Sequence, residues 1–376
     1  MSIAKSHLKR YRLKITTLSP VHIGSGTVIH KKEYINDRRN VYYPNLREMT
    51  RALRERGSLA DYESFLFARE GDLARFLTDQ RINWQSFSGK PVSVRGVVDN
   101  KDRFNEINTF IKDPYGLPYV PGTSVKGAFR TIMLHNEAWT RRKNGENFGV
   151  LDGKDPRGAK QKGSEIEKKL LYTLRRNERI PNHAANDMMS AFRFGDSEPI
   201  SRDAIIICRK VDLVKNVSKK LGNFGELRLS KLPTFRECLK PGTIINLTVT
   251  VDESLLHNSK HASLAADFSA RFKEALKNFN TDYDYEFRSM FVDDSSAENT
   301  IFLGCGTGFI AKTILLGLFE TEQWVKFSAD YLDGKFRKHG HLQDKKLGVS
   351  PRALKLTEFQ AKEYEMGKCL VEITEM

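Results

Sequence analysis

The chain has 376 residues, of which 39% are apolar and 29% are charged. This apolar fraction excludes a disordered chain, and the length is sufficient for two domains of ordinary size. Lysine and arginine number 62 against 47 acidic residues, which gives a formal net charge of +15. Such an excess favours polyanionic partners, with nucleic acid ahead of an anionic membrane.

Apolar runs such as residues 204–208 are too short to cross a bilayer. Residues 1–10 lack the apolar segment of a secretory signal. The four cysteines are scattered without paired spacing, which is typical of a reducing compartment and predicts neither a disulfide framework nor a zinc site. We therefore expect a cytoplasmic protein that has no membrane partner and no cofactor.

The first predicted elements are a strand around residues 10–15, where basic and apolar side chains alternate, and helices within 46–79. Within residues 119–138, Pro121 and Gly122 end one segment, and Thr123 or Ser124 is expected to cap a helix.

Residues 139–180 differ from their surroundings, because they hold twelve lysines and arginines against six acidic residues. The pattern predicts a mobile basic insertion followed by a short helix.

The later part of the chain repeats the order of elements. Residues 240–251 alternate as a strand, and residues 261–279 have the spacing of an amphipathic helix. A strand, a glycine loop and a helix are predicted within 299–319, and a final strand near the C-terminus. Two such successions predict an α+β fold with two units, each an open antiparallel sheet backed by helices.

The first glycine turn fails the test for a nucleotide-binding P-loop. Gly122 and Gly127 have the required gap, but Ala128 and Phe129 stand where the lysine and the hydroxyl residue belong. The second turn fails the dinucleotide test, because Phe309 replaces the third glycine of the fingerprint.

A more general anion site remains possible at both turns. Each turn is predicted to precede a helix, whose free N–H groups attract anions. Each has a cation downstream, Lys126 and Arg130 after the first turn and Lys312 after the second. Two such sites in a basic chain predict binding to a polymer of phosphates. The alternative interpretation is that both glycine clusters are only tight turns.

Five segments, in this order, resemble the RAMP superfamily of CRISPR effector proteins: LKITTLSPVHIGSG, YVPGTSVKGAFRT, LPTFRECLKPGT, FLGCGTGF and SPRALKLT. Within that superfamily they are most similar to the fifth Csm subunit of type III-A complexes. The resemblance implies RRM-like, ferredoxin-like modules with antiparallel sheets and glycine-rich loops. We expect an N-terminal module at 1–200, with a basic insertion at about 139–190, and a C-terminal module at 201–376 that carries the glycine-rich loop 304–308.

The resemblance also implies a function. It implies a non-catalytic subunit that binds CRISPR RNA, caps the complex at the 3′ end of the guide and supports 3′-end maturation in antiviral defence. Its partners would be the neighbouring backbone RAMP subunit, the small subunit and host exoribonucleases.

A subunit that holds a guide of any sequence must bind phosphates rather than base edges, using cations and backbone N–H groups. By position, the resemblance places guide contacts on the first-strand turn, the loop-helix and the glycine-rich loop, and the basic segment 350–357 adds two cations. The expected RNA-binding residues are His22, Gly24, Gly26, Ser124, Lys126, Gly127, Arg130, Gly304, Gly306, Gly308, Lys312, Arg352 and Lys355.

The alternative function is a metal-independent endoribonuclease of RAMP type. Such an enzyme needs a positioned base and a cation near the developing charge, and His22 with Arg10 or Arg12 is the candidate set. The turn around His22 is apolar, so a histidine with satisfied hydrogen bonds is the competing interpretation. A third possibility is a membrane-surface or general scaffold protein, which the lack of a long basic amphipathic helix disfavours.

The remaining candidate sites are weaker. Asp37 lies beside Arg38 and Arg39 in a predicted loop and matches either a cleaving aspartate or a surface turn. His257 and His261 have an i, i+4 gap but lack further ligands, and the histidines within 338–342 are similar. The acidic pair at 293–294 lacks the alternating oxygen ligands of a calcium loop.

Overall fold

The computed structural model describes residues 7–37, 39–94, 106–149, 151–218, 222–257, 259, 262–293 and 299–376. These residues form an α+β fold with two sheets, both mostly antiparallel, and the predicted fold class is confirmed at this level. The strands in these ranges are β1 (Leu8–Thr17), β2 (Gly24–His30), β3 (Ile35–Asn36), β4 (Asn40–Tyr42), β5 (Val92–Val94), β6 (Glu106–Phe110), β7 (Phe192–Phe194), β8 (Ile205–Lys215), β9 (Leu227–Leu239), β10 (Ile244–Asp252), β11 (Thr300–Phe302), β12 (Ala353–Phe359), β13 (Lys362–Glu365) and β14 (Lys368–Glu375).

The described α-helices are α1 (Leu46–Glu55), α2 (Leu59–Phe67), α3 (Leu73–Asp79), α4 (Gly122–Lys143), α5 (Pro156–Leu171), α6 (Glu253–His257), α7 (Ala262–Ala266), α8 (Phe268–Asp282), α9 (Leu315–Leu318), α10 (Thr321–Lys335) and α11 (Asp344–Leu347). Among the helices described, none combines the length and the apolar character that crossing a membrane requires.

The first sheet has five antiparallel strands in the order β11-β14-β1-β10-β7. The strand predicted around residues 10–15 lies at its centre, with Tyr11, Leu13 and Ile15 buried and Arg10 and Arg12 exposed on the other face. Successive side chains of a strand point to opposite faces of the sheet, so a strand with one buried face alternates buried and exposed residues. The predicted alternation at 240–251 is confirmed in the same way by β10.

The second sheet has the order β2-β6-β9-β8-β5-β4-β3, and β12 and β13 extend it from β8. β6 runs parallel to β9 and β5 runs parallel to β8, while the other pairings are antiparallel. Both sheets take strands from both sides of residue 200. The sheets therefore do not divide there, and the division of the chain into domains at 200 stays a prediction.

The helices cover the sheets and close the principal core. The rings of Phe129 on α4 and Phe272 on α8 stack 3.6 Å apart and nearly parallel. The predicted amphipathic helix is confirmed as α8, although it begins at Phe268 because the Asp267 side chain caps it. The helical prediction for 46–79 is confirmed as α1, α2 and α3, which share a separate small core with Ile35.

The helix cap predicted at Thr123 or Ser124 is wrong. α4 begins at Gly122, before both residues, and neither side chain caps it. Pro121 occupies the N-cap position without a side-chain hydrogen bond. The backbone N–H of Gly122 instead donates to the Asp196 carboxylate at 2.8 Å. Proline is well suited to this boundary because its fixed φ brings the chain into the first turn.

The prediction of a mobile insertion and a short helix at 139–180 is confirmed only for the helix, which is α5. α4 continues to Lys143, and α5 adds sixteen residues with Ile166, Leu170 and Leu171 buried. The basic composition concealed an amphipathic spacing whose apolar residues pack inward.

The third difference concerns the glycine loop before residue 310. A short 3-10 helix (Ile310–Lys312) and the four-residue α9 follow it, instead of the predicted helix. The second turn therefore has no long helix whose N-terminus could attract an anion.

A candidate nucleic-acid interface at the glycine-rich loop

The glycine-rich loop, defined here as residues 304–308, has a backbone that other residues could not easily adopt. Gly304, Gly306 and Gly308 have φ values of +79°, +90° and +96°, in the region where a Cβ is strained. A Cβ on Gly304 would also collide with the carbonyl oxygen of His22. The N–H of Cys305 donates to that same carbonyl at 2.7 Å. The loop is thus held directly against the turn that follows β1.

His22 supports this contact and its ring is buried, with 3% of the residue exposed. Its Nδ1 lies 2.7 Å from the carbonyl oxygen of Glu237. Burial lowers the pKa of His22, and the nearby Arg236 lowers it further, although the hydrogen bond acts in the opposite direction. The interpretation of His22 as a histidine with a satisfied hydrogen bond is confirmed. Its partner Glu237 is on β9 of the second sheet, whereas Arg10 and Arg12 are on β1 of the first sheet.

A cleft of about 440 Å³ lies between the loop, the start of β2 and α4. Five of the predicted residues line it: Gly24, Ser124, Gly127, Gly304 and Lys312. Its floor includes the buried rings of Phe279 and Phe302. The ammonium group of Lys312 donates to the carbonyl oxygen of Gly304 and so steadies the loop. The fold thereby brings residues almost 290 positions apart in the sequence to one site, as the span from Gly24 to Lys312 shows.

A cluster of cations, formed by Lys210, Arg236 and Lys355, lies beside the same loop on strands β8, β9 and β12. A Cβ on Gly306 would collide with the guanidinium group of Arg236, and one on Gly308 would lie 3.5 Å from Cγ of Lys355. Lys355 pairs with Asp212 at 2.8 Å. Over the residues that the structure describes, the side chains of Lys210 and Arg236 make no hydrogen bond or ion pair.

The electrostatics of this cation cluster favour an anion. Burial lowers the pKa of Lys210; Asp212 opposes that shift, and Lys355 and Arg236 add to it. Three positive groups thus face a single carboxylate, so an arriving phosphate would relieve their mutual repulsion. Sequence reasoning missed Arg236 and Lys210, since neither the loop motif nor its flanks contain them. Arg236 stands in the segment LPTFRECLKPGT, but only the strand pairing assigns its side chain to a face.

Two predicted cations lie away from the cleft. The ammonium group of Lys126 donates to the carbonyl oxygen of Phe192 at 2.9 Å, and burial lowers the pKa of Lys126. Arg130 pairs with Asp187 at 2.7 Å and with Glu167 at 3.4 Å. Both side chains therefore join α4 to its neighbours, and the structure does not bring them to the residues that line the cleft.

Arg352 and Gly26, two further predicted residues, have roles in holding the fold. Arg352 bonds to the buried Asp344 and to the carbonyl oxygens of His339 and Gly340. Gly26 lies on the exposed part of β2, and its φ of +85° needs glycine even though open space surrounds it.

The weaker candidate sites can be placed only in part. The Asp37 carboxylate accepts hydrogen bonds from the N–H groups of Arg39 and Asn40, which confirms a surface turn. Burial raises the pKa of Asp37, but these hydrogen bonds outweigh it and leave that pKa lowered. His261 and Asp294 lie outside the described residues, and within the described ranges no group of three histidines, cysteines or carboxylates could hold a metal.

The comparisons with known proteins extend along most of the chain. The RAMP superfamily matches residues 14–311. The CRISPR system Cms protein Csm5 of Mycobacterium tuberculosis is 31% identical over 391 residues and covers 98% of each chain. The protein of the same name from Streptococcus thermophilus is 29% identical and covers 82% of this chain and 81% of its own.

Solved structures show the same fold at lower identity. A chain from the cryo-EM structure of a Csm-crRNA-target RNA ternary complex in a type III-A CRISPR-Cas system aligns with a TM-score of 0.62, 19% identity and 97% coverage of this chain. The crystal structure of T.onnurineus Csm5 aligns with a TM-score of 0.58, 18% identity and 95% coverage. The chain belongs to the RAMP superfamily, and within it to the family of the Csm5 proteins.

Proposed function

We propose that this chain is a subunit of a type III-A Csm complex that binds CRISPR RNA without cutting it. In this proposal it caps the complex at the 3′ end of the guide and supports maturation of that end in antiviral defence. Its two sheets with their helices would act as RRM-like modules, and the complex would work in the cytoplasm. The proposed partners are the guide, the neighbouring backbone RAMP subunit, the small subunit and host exoribonucleases.

The observation that carries the proposal is the placement of the cation cluster against the glycine-rich loop. Arg236 and Lys355 contact the positions of Gly306 and Gly308, while Gly304 lines the cleft on the other side. Glycines expose backbone and let a ligand approach closely. A chain of phosphates that crosses the loop would meet the cations of Arg236 and Lys210, neither of which has a described partner to displace.

The proposed grip is independent of guide sequence. The cluster offers ammonium and guanidinium groups, which bind phosphate oxygens, and the cleft adds the hydroxyl of Ser124. Phe309 is half-buried and packs against Tyr331, with ring centroids 6.1 Å apart, so the proposed grip does not rely on stacking of a base on this ring.

The endoribonuclease alternative is disfavoured by the burial of His22. A general base must reach the proton that it removes, but Nδ1 of His22 is bonded to a backbone carbonyl and the residue is only 3% exposed. The lowered pKa of His22 follows from that burial and does not indicate a catalytic role.

The direct test measures how salt affects the affinity of the full chain for single-stranded RNA. We expect Lys210→Gln with Arg236→Gln to lower the slope of log K against log salt by about 1.4, or roughly 0.7 for each lost phosphate contact. The control, Arg75→Gln with Lys90→Gln, removes the same charge from exposed positions elsewhere. An equal change of slope in both variants would contradict a specific role of the cation cluster, because it would show that the net positive charge of the protein accounts for the effect.

The cellular test is co-purification. The tagged chain should recover a guide RNA together with the other Csm subunits, and cells that lack it should contain guides with longer 3′ ends. In the same preparations, RNA incubated with the wild-type chain in EDTA should remain intact. Cleavage that disappears in His22→Asn would support the enzyme instead.

A further inference from the structure

The outer surface of α5 and of the loop after it is strongly basic. Residues 154–179 hold nine lysines and arginines against four acidic residues. Two of these cations are paired, Lys162 with Glu165 at 3.3 Å and Lys169 with Glu146 at 2.6 Å. The other seven make no ion pair with a residue that the structure describes: Lys154, Arg157, Lys160, Lys168, Arg175, Arg176 and Arg179.

Part of this surface forms a regular stripe along α5. Arg157, Lys160, Ser164 and Lys168 are spaced three or four residues apart and share one helix face. Together with Gln161 and Glu165, whose carboxylate is paired with Lys162, they line a shallow groove of about 450 Å³. At about 1.5 Å of rise per residue, the stripe from Arg157 to Lys168 is about 16 Å long.

The loop that carries the three arginines is held in place from beneath. Asn186 is 3% exposed, and its side-chain amide donates to the carbonyl oxygens of Asn177 at 2.9 Å and Pro181 at 3.0 Å. The side-chain Oδ1 of Asn186 accepts from the N–H of Asn177 at 2.8 Å. These hydrogen bonds hold the loop backbone at Asn177 and Pro181, which reduces the entropy cost of binding a ligand.

This surface is separate from the cleft at the glycine-rich loop. Gly127 and Thr131 on α4 line that cleft, whereas Arg130 on the same helix pairs with Glu167 on α5 at 3.4 Å. α4 therefore lies between the two regions.

We propose that the basic stripe of α5, with the arginines of the following loop, is a second site for single-stranded RNA, bound through its phosphates. An acidic protein fits less well, because interface cores need apolar or aromatic anchors. The apolar side chains of α5, among them Ala159, Ile166 and Leu170, are buried on its inner face. The stripe offers cations and a hydroxyl, the groups that bind phosphate. This site is independent of the role proposed for the glycine-rich loop.

The test uses the full chain and a polyuridine RNA long enough to contact both regions. We expect Arg157→Gln/Lys160→Gln/Lys168→Gln to weaken binding at least tenfold and to lower the salt slope by about 2, from roughly 0.7 per contact. The control, Arg47→Gln/Arg54→Gln/Arg75→Gln, removes the same charge from exposed positions on α1 and α3. An unchanged affinity, or an equal loss in the control, overturns the proposal. The surface would then be assigned to an acidic protein partner.

A second comparison separates this proposal from the proposed function. The α5 variant is introduced into the Lys210→Gln/Arg236→Gln background, where a further loss of affinity supports an independent site and no further loss overturns it. Failure of the loop cluster alone would show as an unchanged affinity in Lys210→Gln/Arg236→Gln while the α5 variant still weakens binding. Arg175→Gln/Arg176→Gln/Arg179→Gln should also lower the affinity for RNA. This variant leaves α5 unchanged, so its loss of affinity cannot come from a misfolded helix. Wild-type affinity in this variant would show that the loop arginines are not part of the site.

Discussion

Gly304 lies directly against the backbone carbonyl of His22, and the adjacent Cys305 donates its N–H to that carbonyl at 2.7 Å. This contact joins the turn after the first strand to a loop about 280 residues later in the chain. It places the glycine-rich loop between the cleft and the cation cluster, and the candidate interface depends on it.

Gly304→Ala should therefore destabilise the fold and weaken RNA binding together. Its φ of +79° is unfavourable for alanine, and the added Cβ would strike the His22 carbonyl. We expect a loss of about 2–3 kcal/mol in the free energy of unfolding, measured by denaturant titration. Gly163→Ala is the matched control, because it lies within α5 with open space around it and should gain about 0.5–1 kcal/mol. An equal effect of the two changes would contradict the contact.

His22 should make stability depend on pH in mildly acidic solution. Burial places the folded pKa of His22 below the unfolded value of about 6.5, so the unfolded chain binds more protons in this range. Its contribution is fully present above about pH 6.5 and is lost as the pH falls through that value. His22→Asn should show a smaller loss of stability between about pH 6.5 and 5 in paired thermal denaturation series. A parallel decline in both proteins would show that His22 does not carry the effect.

Lys112 should be needed to neutralise a buried carboxylate. The Glu237 side chain is completely buried, and the Lys112 ammonium group lies 2.8 Å from it. Lys112→Met leaves that charge without its cation and should cost about 2–4 kcal/mol. The double variant Lys112→Met/Glu237→Gln should regain part of this loss, because a neutral amide can still accept from the N–H of Phe110. Chemical denaturation of the two variants decides the matter, and equal stability would contradict the pairing.

Lys126 and Arg130 should affect stability more than RNA affinity. Arg130→Ala leaves Asp187, 18% exposed at its side chain, without its 2.7 Å partner. We expect a loss of about 1–2 kcal/mol, with a salt slope for RNA close to that of the wild type. A smaller salt slope for RNA binding at unchanged stability would instead support the sequence-based prediction that these residues contact the guide.

The elements that sequence alone predicted correctly were those with strict local periodicity. The alternation in β1 and β10 and the spacing in α8 each reflect one buried face, and burial of one face requires no knowledge of the partner. Predictions failed where composition was used in place of periodicity. Residues 139–180 are rich in charge, yet α5 buries four apolar side chains within them.

For the candidate site, local sequence indicated the glycines and could not indicate their surroundings. The three glycines of the loop were identifiable because a chain with repeated positive φ needs them. Arg236 and Lys210 were missed because their relation to the loop depends on the pairing of β8 with β9 and β12. The spacing of Lys126 and Arg130 predicts a phosphate site, but their partners Phe192 and Asp187 lie about 60 residues away in the chain.

The sequence by itself determined the basic character of the protein, its α+β class, its family and the position of its glycine turns, since these depend on composition and on neighbouring residues. Only the tertiary structure decided which cations are free to meet a ligand and which are engaged in holding the fold. The reason is physical: a side chain's availability is set by the carboxylates and carbonyls that packing brings within hydrogen-bonding distance, and most of those come from remote parts of the chain.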